Sequence, residues 1–291
     1  MLLDIKTEVF TCADHLPVIT LLGLLAECRH DWYPTMVEAS RMDQFVEQLG
    51  KAELRVPALA EFAGKSLKEA ANPRPSTEGA VPVTAKDLGQ VVADLGREAV
   101  LVVEDAISDE CFVLALAAAF GYHKIVKAKR RRWLRFAHAG GKSRMHLFVA
   151  DEREPFTVHI RVAALLDSDR GSSTGDSPNK RQFEKIQAVP GVTEIHMWAW
   201  REVENYVPTR VWDEHYPHKG EAVVGIRTMK PVQRGFVDIK HKIGDRRGKS
   251  YKMPSPLIPD DLALTEADFA ELGQDAVDEL RAFLAMILRI L

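Results

Sequence analysis

The sequence predicts an α/β protein: a mostly parallel sheet flanked by helices, with a helical N-terminal region and a long C-terminal helix. Three observations predict it. Apolar runs of strand length stand in the middle of the chain, at 99–103 (AVLVV) and 158–166 (VHIRVAALL). Helix-length stretches separate such runs, which is the pattern of βαβ units. The chain closes on apolar residues spaced by threes and fours, the mark of an amphipathic helix.

The elements follow in order. Leu16, Leu21, Leu22, Leu24 and Leu25 crowd one segment behind Asp14, a candidate N-cap. Residues 39–49 (ASRMDQFVEQL) form a second short helix, stopped by Gly50. Residues 52–70 offer a third. Residues 71–82 (ANPRPSTEGAVP) have the composition of a linker. Next come the strand at 99–103, a helix at 109–120 ended by Gly121, and strands at 145–150 and 158–166. A polar loop fills 171–180, a helix 180–189 and an alternating strand 192–200 (VTEIHMWAW). In the last helix, Phe269, Leu272, Ala276, Leu280, Phe283 and Ile287 share one face, and Thr265 with Asp268 resembles a capping box. That face fits core packing or, as the alternative, a homo-oligomer or partner contact. These elements divide the chain into a helical region 1–95, an α/β domain 96–258 and a C-terminal helix 259–291.

With 46% hydrophobic and 28% charged residues, the 291-residue chain excludes a disordered or collagen-like protein. Its longest greasy stretch, 16–26, is too short to span a bilayer, so no membrane association is expected. Cys12, Cys28 and Cys111 are odd in number and far apart, which reads as reduced thiols in a cytoplasmic protein. The formal net charge of −3 hides a segregation. Residues 1–95 carry a net of −5, residues 259–291 a net of −6, and the middle 96–258 has 28 cations against 20 acids.

The chemistry is written in acids placed where strands run out. Glu104 follows AVLVV, Asp167 and Asp169 follow RVAALL, and Glu202 and Glu204 follow the strand that ends at Trp200. In a parallel α/β sheet the carboxyl ends of the strands form the rim where ligands bind. If the extended conformation continues through Asp167-Ser168-Asp169, both carboxylates face one way. Side by side they repel, and a divalent cation relieves that repulsion. Mg²⁺ suits oxygen ligands and keeps several waters, and such a site activates water and stabilises phosphoryl charge.

Cations for phosphate are present. Residues 124–144 (KIVKAKRRRWLRFAHAGGKSR) hold nine Lys or Arg and no acid. Within that run Lys129, Arg130, Arg131, Arg132 and Arg135 are the candidate nucleic-acid contacts, with Trp133 and Phe136 interleaved to stack on bases. Taken alone, Trp133 reads as a core anchor. Residues 234–252 add seven cations against two acids. The scattered histidines form no metal-binding spacing. Gly140-Gly141-Lys142-Ser143 ends like a phosphate loop, but the required first glycine would fall at Arg135.

LVVEDAISDECF, LLDSDR and WREVENY, in that order, resemble the motifs of the TOPRIM domain in the form found in OLD-family nucleases and their stand-alone defence relatives. The resemblance covers roughly 98–210. It implies that Glu104, Asp167 and Asp169 hold Mg²⁺ or Mn²⁺, that Glu204 assists, and that Lys240 or Lys242 is the downstream basic residue. Two departures stand out. The glycine usual after the Glu is Asp105, and the acid usual four residues on is Ser108, with Asp109 one further, so either Asp105 or Asp109 joins the metal site.

By this resemblance the protein is a metal-dependent nuclease cutting DNA or RNA, tRNA included. It would act as a phage-defence or toxin-type effector controlled by a separate ABC-type ATPase. Two alternatives remain. One is a non-catalytic TOPRIM-like module that binds nucleic acid or a partner. The other is a HAD-type phosphatase, which also uses DxD at a strand end but wants Thr or Val soon after, where Arg170-Gly171 stands.

Overall fold

A computed structural model describes residues 1–52, 54, 56–247, 249–259 and 261–291. The fold is α/β, with parallel sheets flanked by helices and a long C-terminal helix. The chain forms two compact units.

The first unit comprises 1–98, 155–161 and Leu291. Its helices are α1 (His15–Ala26), α2 (Met36–Lys51), α3 (Pro57–Ala70) and α4 (Leu88–Gly96). The first three start where the sequence supplies a start signal. The Asp14 carboxylate accepts from Leu16 N–H at 3.1 Å. Thr35 and Glu38 form a reciprocal capping box. Pro57 opens α3 at a position where its missing N–H costs nothing. The expected third helix began at 52; residues 53 and 55 lie outside the described residues. Three strands unforeseen in the sequence join the helices: β1 (Leu2–Ile5), β2 (Asp31–Trp32) and β3 (Val81–Val83), parallel in the order β2-β1-β3. Two to four residues each, they are too short to show a period.

Segment 155–161 joins this unit through two buried charges. The Asp94 carboxylate accepts the N–H groups of Thr157, Val158 and His159 at 3.1, 2.7 and 2.9 Å. Arg161, with no exposed surface, donates to the carbonyls of Leu95 and Arg97 at the end of α4. The strand expected over 158–166 is therefore shortened. Val158 and His159 serve Asp94, Arg161 serves the end of α4, and only Val162–Leu166 forms β6.

The second unit, 99–154 and 162–290, is built on a four-stranded parallel sheet. Its strands are β4 (Ala99–Val103), β5 (Leu134–His138), β6 (Val162–Leu166) and β7 (Glu194–Met197), in the order β5-β4-β6-β7. The two central strands, AVLVV and VAALL, are buried at every residue, as strands covered on both faces must be. Helices α5 (Ala106–Ala119), α6 (His123–Arg130), α7 (Met145–Arg153) and α8 (Lys180–Gln187) connect them. The strand expected at 145–150 is α7 instead; Met145 and Val149, four apart, are its buried side.

Short helices α9 (Thr209–His215), α10 (Gly220–Arg227), α11 (Pro231–Arg234) and α12 (Ile239–Ile243) follow. A hairpin of β8 (Asp245–Arg247) and β9 (Ser250–Lys252) comes next. The single helix expected from Thr265 is broken into α13 (Glu266–Phe269), a 3-10 turn and the 17-residue α14 (Gln274–Ile290). Gly273, at φ 87°, makes the break. The apolar face of α14 packs on β4, β6 and β7, which is the core reading of its periodicity. Trp198 is 1% exposed and meets the rings of Phe112, His196, Tyr206 and Phe283. Truncating such an anchor costs about 3–5 kcal/mol.

Candidate functional site at the carboxyl rim of the sheet

Strand polarity assembles the site. β4 and β6 run parallel with Val102 beside Ala164. Continuing that register sets Glu104 level with Leu166, one residue before Asp167. The two acidic motifs therefore emerge side by side. The third is tied to them through the backbone: Asp169 N–H donates to Arg201 C=O at 2.9 Å, and Val203 N–H donates to Asp167 Oδ1 at 3.2 Å.

Glu104, Asp105, Asp109, Asp167, Glu204 and Lys240 line one cleft of about 450 Å³, and Tyr251–Ser255 also line it. Asp105 and Asp109, equivalent in the sequence, differ here. The Asp105 carboxylate starts α5, accepting from Ile107 N–H and Ser108 Oγ–H, each at 3.0 Å. Asp109 is buried, and its Oδ2 accepts from Asp105 N–H at 3.0 Å. Burial, joined by the charges of Glu204, Asp105 and Glu104, pushes the Asp109 carboxyl up to about 7 against that hydrogen bond.

The same crowding acts on the other acids. Burial, with the charges of Glu204 and Asp109, holds Asp167 well above the usual carboxylate range. Burial also raises Glu204 and Glu104, against the opposing pull of Lys240 and Lys142 respectively. Asp169 goes the other way. Its burial is outweighed by hydrogen bonds from Lys142 and Asn179, which lower it.

Two lysines compensate the acids. Lys240, on α12, reaches Glu202 Oε2 at 3.0 Å and Glu204 Oε1 at 3.1 Å. Burial would lower its ammonium, but the two glutamates raise it further. Lys242 is exposed, so the structure separates the two lysines that the sequence left as alternatives. Lys142, outside the expected site set, stands among Asp169 Oδ2 at 2.6 Å, Glu104 Oε2 at 3.3 Å and Asp167 Oδ2 at 3.9 Å. The signal that could have found it is position: it follows the strand beside β4, on the same rim.

The remaining parts of the motifs hold these groups in place. Asn205 is fully buried, accepts from Glu202 N–H at 3.2 Å, and donates to the carbonyls of Arg234 and Val237 at 2.8 and 2.9 Å. It thereby fixes the segment that leads into Lys240. Gly235 gives Trp200 its place, since a Cβ there would lie 2.6 Å from the indole ring. Asn179, from the polar loop, donates to Asp167 C=O and Asp169 Oδ2, both at 2.9 Å. The DxD segment is not extended throughout: Asp169 has φ 52°. A left-handed turn, which Asp tolerates, brings both carboxylates toward one cation.

The basic run is divided. β5 passes through it, parallel to β4. Arg130, Arg131 and Arg132 are exposed and precede β5, at the amino end of the sheet. Lys129 pairs with Glu110 at 2.7 Å, and Arg135 pairs with Glu152. Only the run's tail, from Lys142 on, reaches the carboxyl rim. Trp133 and Phe136 are 7% and 8% exposed and belong to the core, which is the anchor reading of Trp133 and corrects the expectation that the two rings stack on bases.

As they stand, no three His, Cys, Asp or Glu side chains among the described residues are grouped to hold a metal ion. The donor chemistry nonetheless fits a hard divalent cation. All the donors are carboxylates. Glu204 is 6% exposed, and its Oε2 has no hydrogen-bond partner among the described residues. A cation, the Lys142 ammonium, already sits among three of the acids. No helix among the described residues is long and apolar enough to cross a membrane. No family model, curated protein or solved structure matches this chain.

Proposed function

We propose that this protein is a Mg²⁺- or Mn²⁺-dependent nuclease of TOPRIM type that cleaves phosphodiester bonds in DNA or RNA, tRNA included. One observation carries the reading. Carboxylates from three separate segments, Glu104, Asp167 with Asp169, and Glu204, converge on one rim, and a buried Glu204 oxygen has no hydrogen-bond partner among the described residues. Burying like charges is costly unless a cation compensates them. Glu104, Asp167 and Asp169 would hold the metal, with Asp109 and Glu204 beside them. Once bound, the metal supplies Lewis acidity and an activated water.

The chain's own residues do the rest. Lys240 holds Glu202 and Glu204 in place. Lys252 lines the cleft, and Arg246 and Lys249 are exposed on the adjoining hairpin. These three cations suit a phosphate backbone entering the cleft. The cellular role that goes with the sequence resemblance is a phage-defence or toxin-type effector controlled by an ABC-type ATPase.

The test is cleavage of labelled tRNA, single-stranded RNA and duplex DNA with Mg²⁺ or Mn²⁺. The wild type should cut at least one of them, and Glu104→Ala and Asp167→Ala should not. Cutting by both variants would overturn the site. A second reading, a module that binds without cleaving, is favoured by the seat of Lys142 among the acids. It predicts no Mn²⁺ binding that depends on Asp167.

A further inference from the structure

The Gly140–Lys142 segment does more than compensate the rim acids. The two glycines have φ 67° and 116°, backbone that other residues rarely adopt. They turn the chain at the end of β5 and deliver Lys142 to the site. Its Nζ lies 2.6, 3.3 and 3.9 Å from one oxygen each of Asp169, Glu104 and Asp167. Those are the three acids proposed to hold the metal. A surface lysine commonly pairs with one carboxylate; this ammonium touches three, contributed by two strands.

We propose that Lys142 is a built-in counter-cation that occupies the metal position and must withdraw for a divalent ion to bind. The inference rests on the metal-site reading above. An ammonium is a compact cation on a flexible stem, and it offsets part of the acids' charge without needing a coordination shell. The ammonium and a divalent ion cannot share the space between the same oxygens. Metal affinity is therefore reduced by the fraction of molecules in which the lysine is out of the way. The paired glycines give the loop two backbone positions at which to swing. Without metal the lysine offsets part of the acids' charge, and binding metal frees it on the same rim, where a phosphate would meet it.

Calorimetric titration with Mn²⁺ of the full chain and its Lys142→Met variant tests this. If the lysine is withdrawn in about a tenth of molecules or fewer, the variant binds Mn²⁺ at least ~10-fold more tightly. A wild type that binds Mn²⁺ while the variant binds equally or less tightly would overturn the inference and leave the metal site standing. No Mn²⁺ binding by either protein would remove the metal site itself. A second measurement needs no variant. Acylation of Lys142 by an amine-reactive ester, read by peptide mass spectrometry, should rise when Mn²⁺ is added. Unchanged labelling under saturating Mn²⁺ would also overturn the inference.

Discussion

The two ends of the four-stranded sheet carry opposite chemistry. At the carboxyl end, Glu104, Asp109, Asp167, Asp169 and Glu204 gather with Lys142 and Lys240, partly buried and mutually perturbed. At the amino end, Arg130, Arg131 and Arg132 stand exposed at the end of α6 and on the turn that leads into β5. In sequence, Arg132 and Lys142 belong to one acid-free basic run. In space a whole strand separates them, about 17 Å for five residues. Local charge density therefore says little about which cations serve a site; strand polarity decides it.

Four measurements would break or sharpen that contrast. The largest expected effect is on cleavage. Glu104→Gln or Asp167→Asn should lower the rate by about 10³-fold or more, the scale of losing charge stabilisation at a reacting phosphate. Arg130→Ala combined with Arg131→Ala and Arg132→Ala should leave that rate within about threefold.

The second effect is on stability against pH. An unfolded chain releases the Asp109 proton near 4, whereas the folded protein holds it up to about 7. Without metal, the Asp109 contribution to stability therefore falls as pH rises from about 4 to about 7, by at most about 4 kcal/mol, and is constant above. Asp109→Asn should flatten that slope in urea unfolding at pH 5 and pH 8, and the arginine triple variant should not. An unchanged slope in Asp109→Asn would remove the acid from the perturbed set.

Third, neutralising Arg246, Lys249 and Lys252 should weaken nucleic-acid binding by about 10- to 100-fold at low salt and reduce the salt dependence. An equal loss in the arginine triple variant would show that both ends of the sheet contact the substrate. The smallest effect belongs to the surface ion pairs. Breaking Arg135–Glu152, which lies outside the cleft, should change stability by less than about 1 kcal/mol.

Much of the second unit was legible because its strands are covered on both faces. AVLVV cannot alternate, so its length and its valines name it, and it forms β4 over the expected residues. The acids after it were legible for the same reason, since a carboxylate following a buried strand has few places to go. β5 was hidden. Leu134, Phe136 and Ala137 are buried, but Arg135 and His138 face out, and the surrounding cations masked the strand. The break at Gly273 was missed because apolar spacing continues across it. Lys142 was invisible as a site residue because its role depends on β5 lying beside β4, a fact of topology and not of spacing. Asp105 and Asp109 could not be separated until the helix start showed which carboxylate was spent on capping.

The central claim is that the carboxyl rim is a divalent-cation site. Calorimetric titration of metal-free protein with Mn²⁺, beside the Asp167→Asn variant, tests it most directly. The account predicts one saturable site in the wild type that is lost in the variant. Binding that survives in the variant, or no binding in a folded wild type, would contradict it.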